Sequence, residues 1–103
     1  MDPLRVIAAP RRLQILVMVW DQELSAGQIV AGFDVSWGAV SQHITVLRNA
    51  GFLRQRRQGT SRLYRADKDA LGALRAVVEE KWRTSLTRLK ALAEAEQRER
   101  DRT

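Results

Sequence analysis

Apolar residues recur along this chain at two different spacings, and the change between them divides it. Up to Gly51, and again from Lys68 onward, they return every three or four positions, the period of helices lying on a core. Between Phe52 and Arg65 that period is lost. Leu4 to Ala9 predicts a short helix. Pro10 suits the first turn of a second, where its missing N–H does no harm, and this helix runs to about Trp20. Leu13, Leu16, Val17 and Trp20 share one face of it, while Ile15 and Met18 widen that face beyond what one small core requires. After the polar connector Asp21 to Leu24, Ser25 or Gly27 opens a third, short helix that leads through Ile29 and Val30 to Gly32 and Phe33. Asp34 and Val35 turn the chain into a fourth helix. Ser36 is its N-cap, Val35 can staple onto Val40, and Gly51 is its stop. A helix, a tight turn and a second helix in this order predict a helix-turn-helix.

The fourth helix carries a narrow apolar stripe, Val40, Ile44 and Leu47. Gly38, Ser41, Gln42, Thr45 and Asn49 face the other way. That outer face has no Glu, Asp or Lys. It offers small groups and neutral hydrogen-bonders, which suit close approach to base edges in a major groove; a weakly charged surface helix of a small bundle is the plainer reading. Beyond it, the runs 52–57 and 61–65 flank Gln58-Gly59-Thr60, a hairpin signal, and predict a two-stranded wing that leans on the helices through Leu53, Leu63 and Tyr64. From Lys68 to about Arg98 the chain reads as helix. Leu71, Leu74, Val78, Trp82, Leu86, Leu89 and Leu92 form a stripe along it that outruns a core built by the preceding residues, so its far end needs a partner. A copy of itself is the simplest partner, and an intramolecular fold-back the alternative. A mixed-charge tail, 99–103, is expected to fray.

Composition sharpens this picture through charge. The 103 residues carry 18 Lys plus Arg against 12 Asp plus Glu, a net +6. Residues 1–66 hold nine bases and four acids, whereas 67–103 hold nine and eight, and the six arginines from Arg48 to Arg65 have no acid among them. A one-signed patch beside the candidate reading helix points to a polyanion. The length allows one domain with one modest core. With no Cys, disulfides, thiolate metal sites and cysteine nucleophiles are excluded. His43 is the one histidine and cannot by itself make a zinc site. No apolar run approaches a membrane span and no secretion signal opens the chain, so a cytoplasmic protein without cofactor is expected.

Three ordered blocks then carry a resemblance: Leu4 to Leu16, with Ala9-Pro10-Arg11-Arg12-Leu13; Val40-Ser41-Gln42-His43-Ile44 continuing to Leu53; and Arg56-Arg57-Gln58-Gly59 followed by Leu63-Tyr64-Arg65 and Asp67. Over roughly residues 4–67 the chain resembles the ArsR-type winged-helix transcriptional repressors. The resemblance implies a mainly α fold with a small β-hairpin: about five helices, a two-stranded wing and a long C-terminal helix. It implies a homodimer that binds a palindromic operator in double-stranded DNA, possessing a DNA-binding domain over 1–67 and a dimerisation helix over 68–98. By motif position the base-reading candidates are Trp37, Gly38, Ser41, Gln42 and Thr45, and the phosphate candidates Arg48, Arg56, Arg57 and Arg62, with His43 at the stripe's edge within reach of a phosphate. Dimerisation by the first and last helices assigns Leu4, Ile7, Leu74, Val78, Trp82, Leu86, Leu89 and Leu92 to the interface.

Two departures matter. Many members have a polar residue where Trp37 stands, so Trp37 either packs on a sugar or thymine methyl or covers the neighbouring helix. Metal-responsive members carry Cys pairs or Asp and His ligands that this chain lacks, so metal sensing is not expected and any effector is left open. An enzyme is disfavoured, because neither a nucleophile with its base nor a metal-bound water can be assembled. A winged helix that meets an acidic protein is the competing reading. The uncharged outer face of the fourth helix argues against it.

Overall fold

Helix boundaries fall where the backbone is capped or forbidden to continue. The computed structural model describes residues 2–102. Asp2 accepts a hydrogen bond from the Leu4 amide at 3.1 Å and opens helix α1, Pro3–Ala8. Pro10 holds Ala9 extended, so the chain breaks there and restarts as α2, Pro10–Met18. A two-residue strand β1, Leu24–Ser25, follows. Ser25 then forms a reciprocal capping box with Gln28 at the start of α3, Ala26–Val30.

Helix α4, Trp37–Asn49, is capped by Ser36, whose hydroxyl accepts from Ala39 at 3.2 Å. Its end is a Schellman turn. Gly51 takes φ +84°, its amide bonds the Arg48 carbonyl, and the Phe52 amide reaches back to Leu47, each at 3.0 Å. Strands β2, Leu53–Gln58, and β3, Ser61–Ala66, pair antiparallel around a two-residue loop, with Gly59 at φ +60° as the left-handed residue that a tight hairpin needs. The wing is not two-stranded, as the sequence predicts, because β1 adds to the free edge of β3 and gives the order β1-β3-β2. β1 escapes sequence reading because two residues show no period. The sheet is tied to the helices by Ala66 N–H to the Val19 carbonyl and Asp67 N–H to the Phe52 carbonyl, at 3.0 and 2.9 Å.

The last segment is not one helix. A single turn α5, Lys68–Leu71, capped by Asp67, gives way at Gly72 (φ +55°) to a 3₁₀ turn, Gly72–Leu74, and then to α6, Arg75–Asp101. The glycine interrupts an apolar pattern that reads as continuous. At 27 residues α6 spans ~40 Å, and the molecule is correspondingly elongated, 52 × 34 × 23 Å. Helix persists through most of the tail expected to fray, supported by Arg100–Glu96 at 2.6 Å and Gln97–Asp101 at 3.2 Å; Thr103 lies outside the described residues.

The core joins Ile15, Leu16 and Val19 of α2 and its end to Ile29, Val40, Ile44, Leu47, Tyr64, Leu71 and Val78. Val6 and Ile7 of α1 belong to it as well. Two residues that the resemblance assigns to the interface with a second copy are used inside the chain: Ile7 and Val78 are 1% and 0% exposed. Periodicity identifies a face, not how deep each position lies. Leu74 and Trp82 pack partly against the core, while Leu4, Leu86, Leu89 and Leu92 stand exposed.

Candidate nucleic-acid interface

Helix α4 presents what its sequence period requires. Val40, Ile44 and Leu47 are buried, and Trp37, Gly38, Ser41, Gln42, Thr45, Arg48 and Asn49 are exposed. A Cβ added at Gly38 would meet nothing within 4 Å, so the first turn leaves open space for a close neighbour. Thr45 donates its hydroxyl to the Ser41 carbonyl at 3.0 Å. It therefore offers lone pairs and a methyl outward, while Gln42 keeps both donor and acceptor free.

Trp37 does two things. Its indole lies 3.8 Å from where a Cβ on Gly27 would sit, covering the first turn of α3, yet the residue is 57% exposed. With Ser41 it forms one wall of a cleft of about 420 Å³, whose opposite wall is the hairpin tip, Thr60 to Arg62, with Tyr64. The cleft separates reader from wing, and its far wall was not apparent from sequence, since the register of β3 decides which residues turn toward α4.

That register sorts the arginines. Gln55 pairs with Tyr64 and Arg57 with Arg62, and opposed residues share a face. Tyr64 is buried toward the helices and Gln55 accepts from Arg48 of α4 at 3.3 Å, so Arg57 and Arg62 lie on the reader's side of the wing. Arg54, Arg56 and Arg65 project from the opposite face. There Arg56 meets Glu23 in a two-pronged pair, 2.6 and 2.9 Å, and Arg54 meets Asp67 at 3.3 Å. The Arg56 hydrogen bonds hold the Glu23 carboxyl below its ordinary pKa, and Arg54 with the Ala70 amide does the same for Asp67. Among the described residues Arg57 and Arg62 make no ion pair.

The arginine run that is acid-free in sequence is thus partly neutralised in space, at Arg54 and Arg56. Of the residues assigned to phosphate, Arg48, Arg57 and Arg62 lie together beside the outer face of α4, and Arg56 does not. His43 also departs from that expectation. It is half-buried, with Nδ1 3.5 Å from a guanidinium nitrogen of Arg12, which is itself anchored to the Val6 and Arg5 carbonyls at 2.5 and 3.2 Å. Burial first, then the Arg12 and Arg11 charges, push its pKa down, so the ring is neutral at neutral pH and faces α2. No cluster of three or more His, Cys, Asp or Glu side chains able to hold a metal occurs among the described residues, and none of their helices is long and apolar enough to cross a membrane.

A capped second helix with an uncharged outer face, a hairpin flanking it and a three-helix support define a winged helix-turn-helix of the DNA-binding type. The profile described as "Bacterial regulatory protein, arsR family" matches residues 9–55. A solved structure described as a possible transcriptional regulator for arsenical resistance is 36% identical, with a TM-score of 0.67, over 88% of this chain and 95% of that one. The chain belongs to the arsR family of bacterial regulatory proteins. It is 39% identical over 61 residues to the transcriptional activator HlyU of Vibrio cholerae, an alignment covering 59% of this chain and 56% of HlyU. A homodimeric winged helix-turn-helix DNA-binding domain from Mycobacterium bovis, described as a possible ArsR-family regulator, is 27% identical with a TM-score of 0.64, over 75% of this chain and 71% of that one. These relatives are transcriptional regulators, not enzymes.

Proposed function

We propose that this chain is a dimeric repressor that binds a palindromic operator in double-stranded DNA, its own promoter among the sites. In this reading α4 enters the major groove. Trp37, Gly38, Ser41, Gln42 and Thr45 meet the bases there, while Arg48, Arg57 and Arg62 meet the flanking phosphates. The observation that carries the proposal is the coincidence of an acid-free reader face with arginines that have no acidic partner, on the one side of the wing that shares its direction.

Dimerisation is supported by α6. The face that buries Val78 and half-buries Trp82 continues past the body as Leu86 and Leu89, 46% and 63% exposed, with Leu92 close beside. Burying such a stripe against a second copy is worth ~25 cal/mol per Å² of apolar surface removed from water, and two readers related by a twofold match a palindrome with half-sites ~34 Å apart or a multiple of it. The exposed Leu4 would be the contribution of α1. Repression follows from occupancy, since a dimer seated on a promoter excludes polymerase; the homology to a protein named as an activator makes the sign worth measuring directly.

A gel shift with duplex upstream of the protein's own gene is expected to show binding that weakens steeply with salt, and a reporter on that promoter to fall when the protein is present. Binding insensitive to salt, or absent on every duplex in a random library, overturns the reading.

A further inference from the structure

We propose that the cleft between α2 and α6 is a binding site for one amphipathic anion, an apolar chain ending in a carboxylate. The cleft encloses about 540 Å³, within the ~300–1,000 Å³ of small-molecule sites. Leu13, Val17 and Met18 of α2 form its apolar floor, and Lys81, Ser85 and Arg88 of α6 form its rim. The lining contains two cations and no acid.

Among the described residues four cations of α6 hold no acid, Lys81, Arg88, Lys90 and Arg98, and of these Lys81 and Arg88 line the cleft. Arg75, Arg83 and Arg100 of α6 each hold a glutamate at 2.6 to 2.9 Å. Lys81 and Arg88 hold none among the described residues, and their long alkyl stems can lie along the floor while the charged ends close over a head group. Seven residues apart, they stand two turns, ~10.5 Å, from each other on one side of the helix. Sign and shape together select the ligand. A neutral apolar molecule leaves both cations unmatched, a cationic one is repelled, and a small hydrophilic anion wastes the floor.

A second copy is the obvious rival for any apolar surface here. The column Lys81, Ser85, Arg88 is adjacent to the column Trp82, Leu86, Leu89 proposed for dimerisation, and it is not the same one. An extra protomer covering the cleft would bring Leu13 and Val17 against a partner and leave no room for a ligand.

Calorimetric titration of the whole protein with decanoate, below its micellar concentration, tests it, with amide and methyl NMR shifts as a map. Saturable binding of one decanoate per chain is expected, with shifts at Met18 and Ser85. Each loss of a charged hydrogen-bond donor weakens a complex about tenfold or more; Lys81→Gln should therefore do so about tenfold, and Lys81→Gln with Arg88→Gln about a hundredfold, while melting temperature stays unchanged because both side chains are exposed. Decyltrimethylammonium, the same chain with the opposite charge, should not saturate. Equal affinity for the two amphiphiles, decanoate affinity untouched by removing both cations, or intermolecular contacts from Leu13 and Val17 that persist when decanoate is added would each overturn the proposal.

Discussion

The two faces of the wing carry the same residue type and have opposite fates. On the reader's side Arg57 and Arg62 stand opposite one another with no acid in reach. On the other side Arg56 is held by Glu23 and Arg54 by Asp67. Counting arginines in the sequence treats all of them as one patch; the register shows that Arg54 and Arg56 have their charge taken up on the back of the wing while Arg57 and Arg62 keep theirs beside the reader. A cation already paired with a carboxylate releases few counterions when a duplex arrives, so arginines that look equivalent differ in what they contribute to binding.

The strongest way to break this comparison is to remove the front pair. Each phosphate contact contributes a slope of ~0.9 in log K against log salt. Arg57→Ala with Arg62→Ala is therefore expected to lower duplex affinity about 60-fold at ~0.1 M salt and to flatten the salt slope by nearly two, measured by fluorescence anisotropy. An unchanged slope would mean the front of the wing does not touch phosphate. Next in size, Gln42→Ala should cost ~1–3 kcal/mol on the operator and little on random duplex, since Gln42 has the free amide that reads a base edge. Equal losses on both would place the reading elsewhere on α4.

The back of the wing predicts smaller effects. Arg56→Ala should change duplex affinity less than about twofold and leave the salt slope where it was. Glu23→Gln, by contrast, frees Arg56 and should steepen the slope on random duplex. If Arg56→Ala behaves like Arg57→Ala, the two faces are not distinct. The smallest effect comes from His43. Burial and the Arg12 and Arg11 charges lower its pKa in the folded chain, so the unfolded chain binds a proton that the folded one refuses. Stability from this source is whole above about pH 6.5 and is lost as pH falls through the lower folded-state value. His43→Gln should reduce the drop in melting temperature between pH 7 and 5. Asp67 also titrates with a lowered pKa, and its contribution begins to fade only below about pH 4.

Much of this molecule is legible in its residues because its punctuation is local. Ser36, Gly51 and Gly59 act through backbone groups a few positions away, and each does in the structure what its type dictates. The outer face of α4 follows from the buried stripe opposite it. What spacing does not carry is pairing across distance. Glu23 meets Arg56 from 33 residues away, and only the placement of β1 beside β3 lets it lean across the sheet. Depth is the other loss, since Ile7 and Val78 look like Leu86 in a periodic pattern and differ from it only by what else folds over them. Gly72 is a third case. A glycine in a helical run reads as a modest penalty of ~1 kcal/mol, and the positive φ that makes it a break is visible only in three dimensions.

Phe52 has a consequence that reaches past its place in the core. Its amide closes the turn that ends α4, its carbonyl accepts from Asp67 where the hairpin returns, and the residue is 4% exposed. One residue thus ties the end of the reader to the wing. Joined in this way the two present a gap to an arriving duplex, like the jaws of a gauge. Such a gauge measures. A stretch of DNA whose groove width fits the opening is gripped without further ordering of the protein, whereas one that is too narrow or too wide must itself deform and bear that cost. Sequence would then be sensed partly through the stiffness of base pairs that no side chain touches.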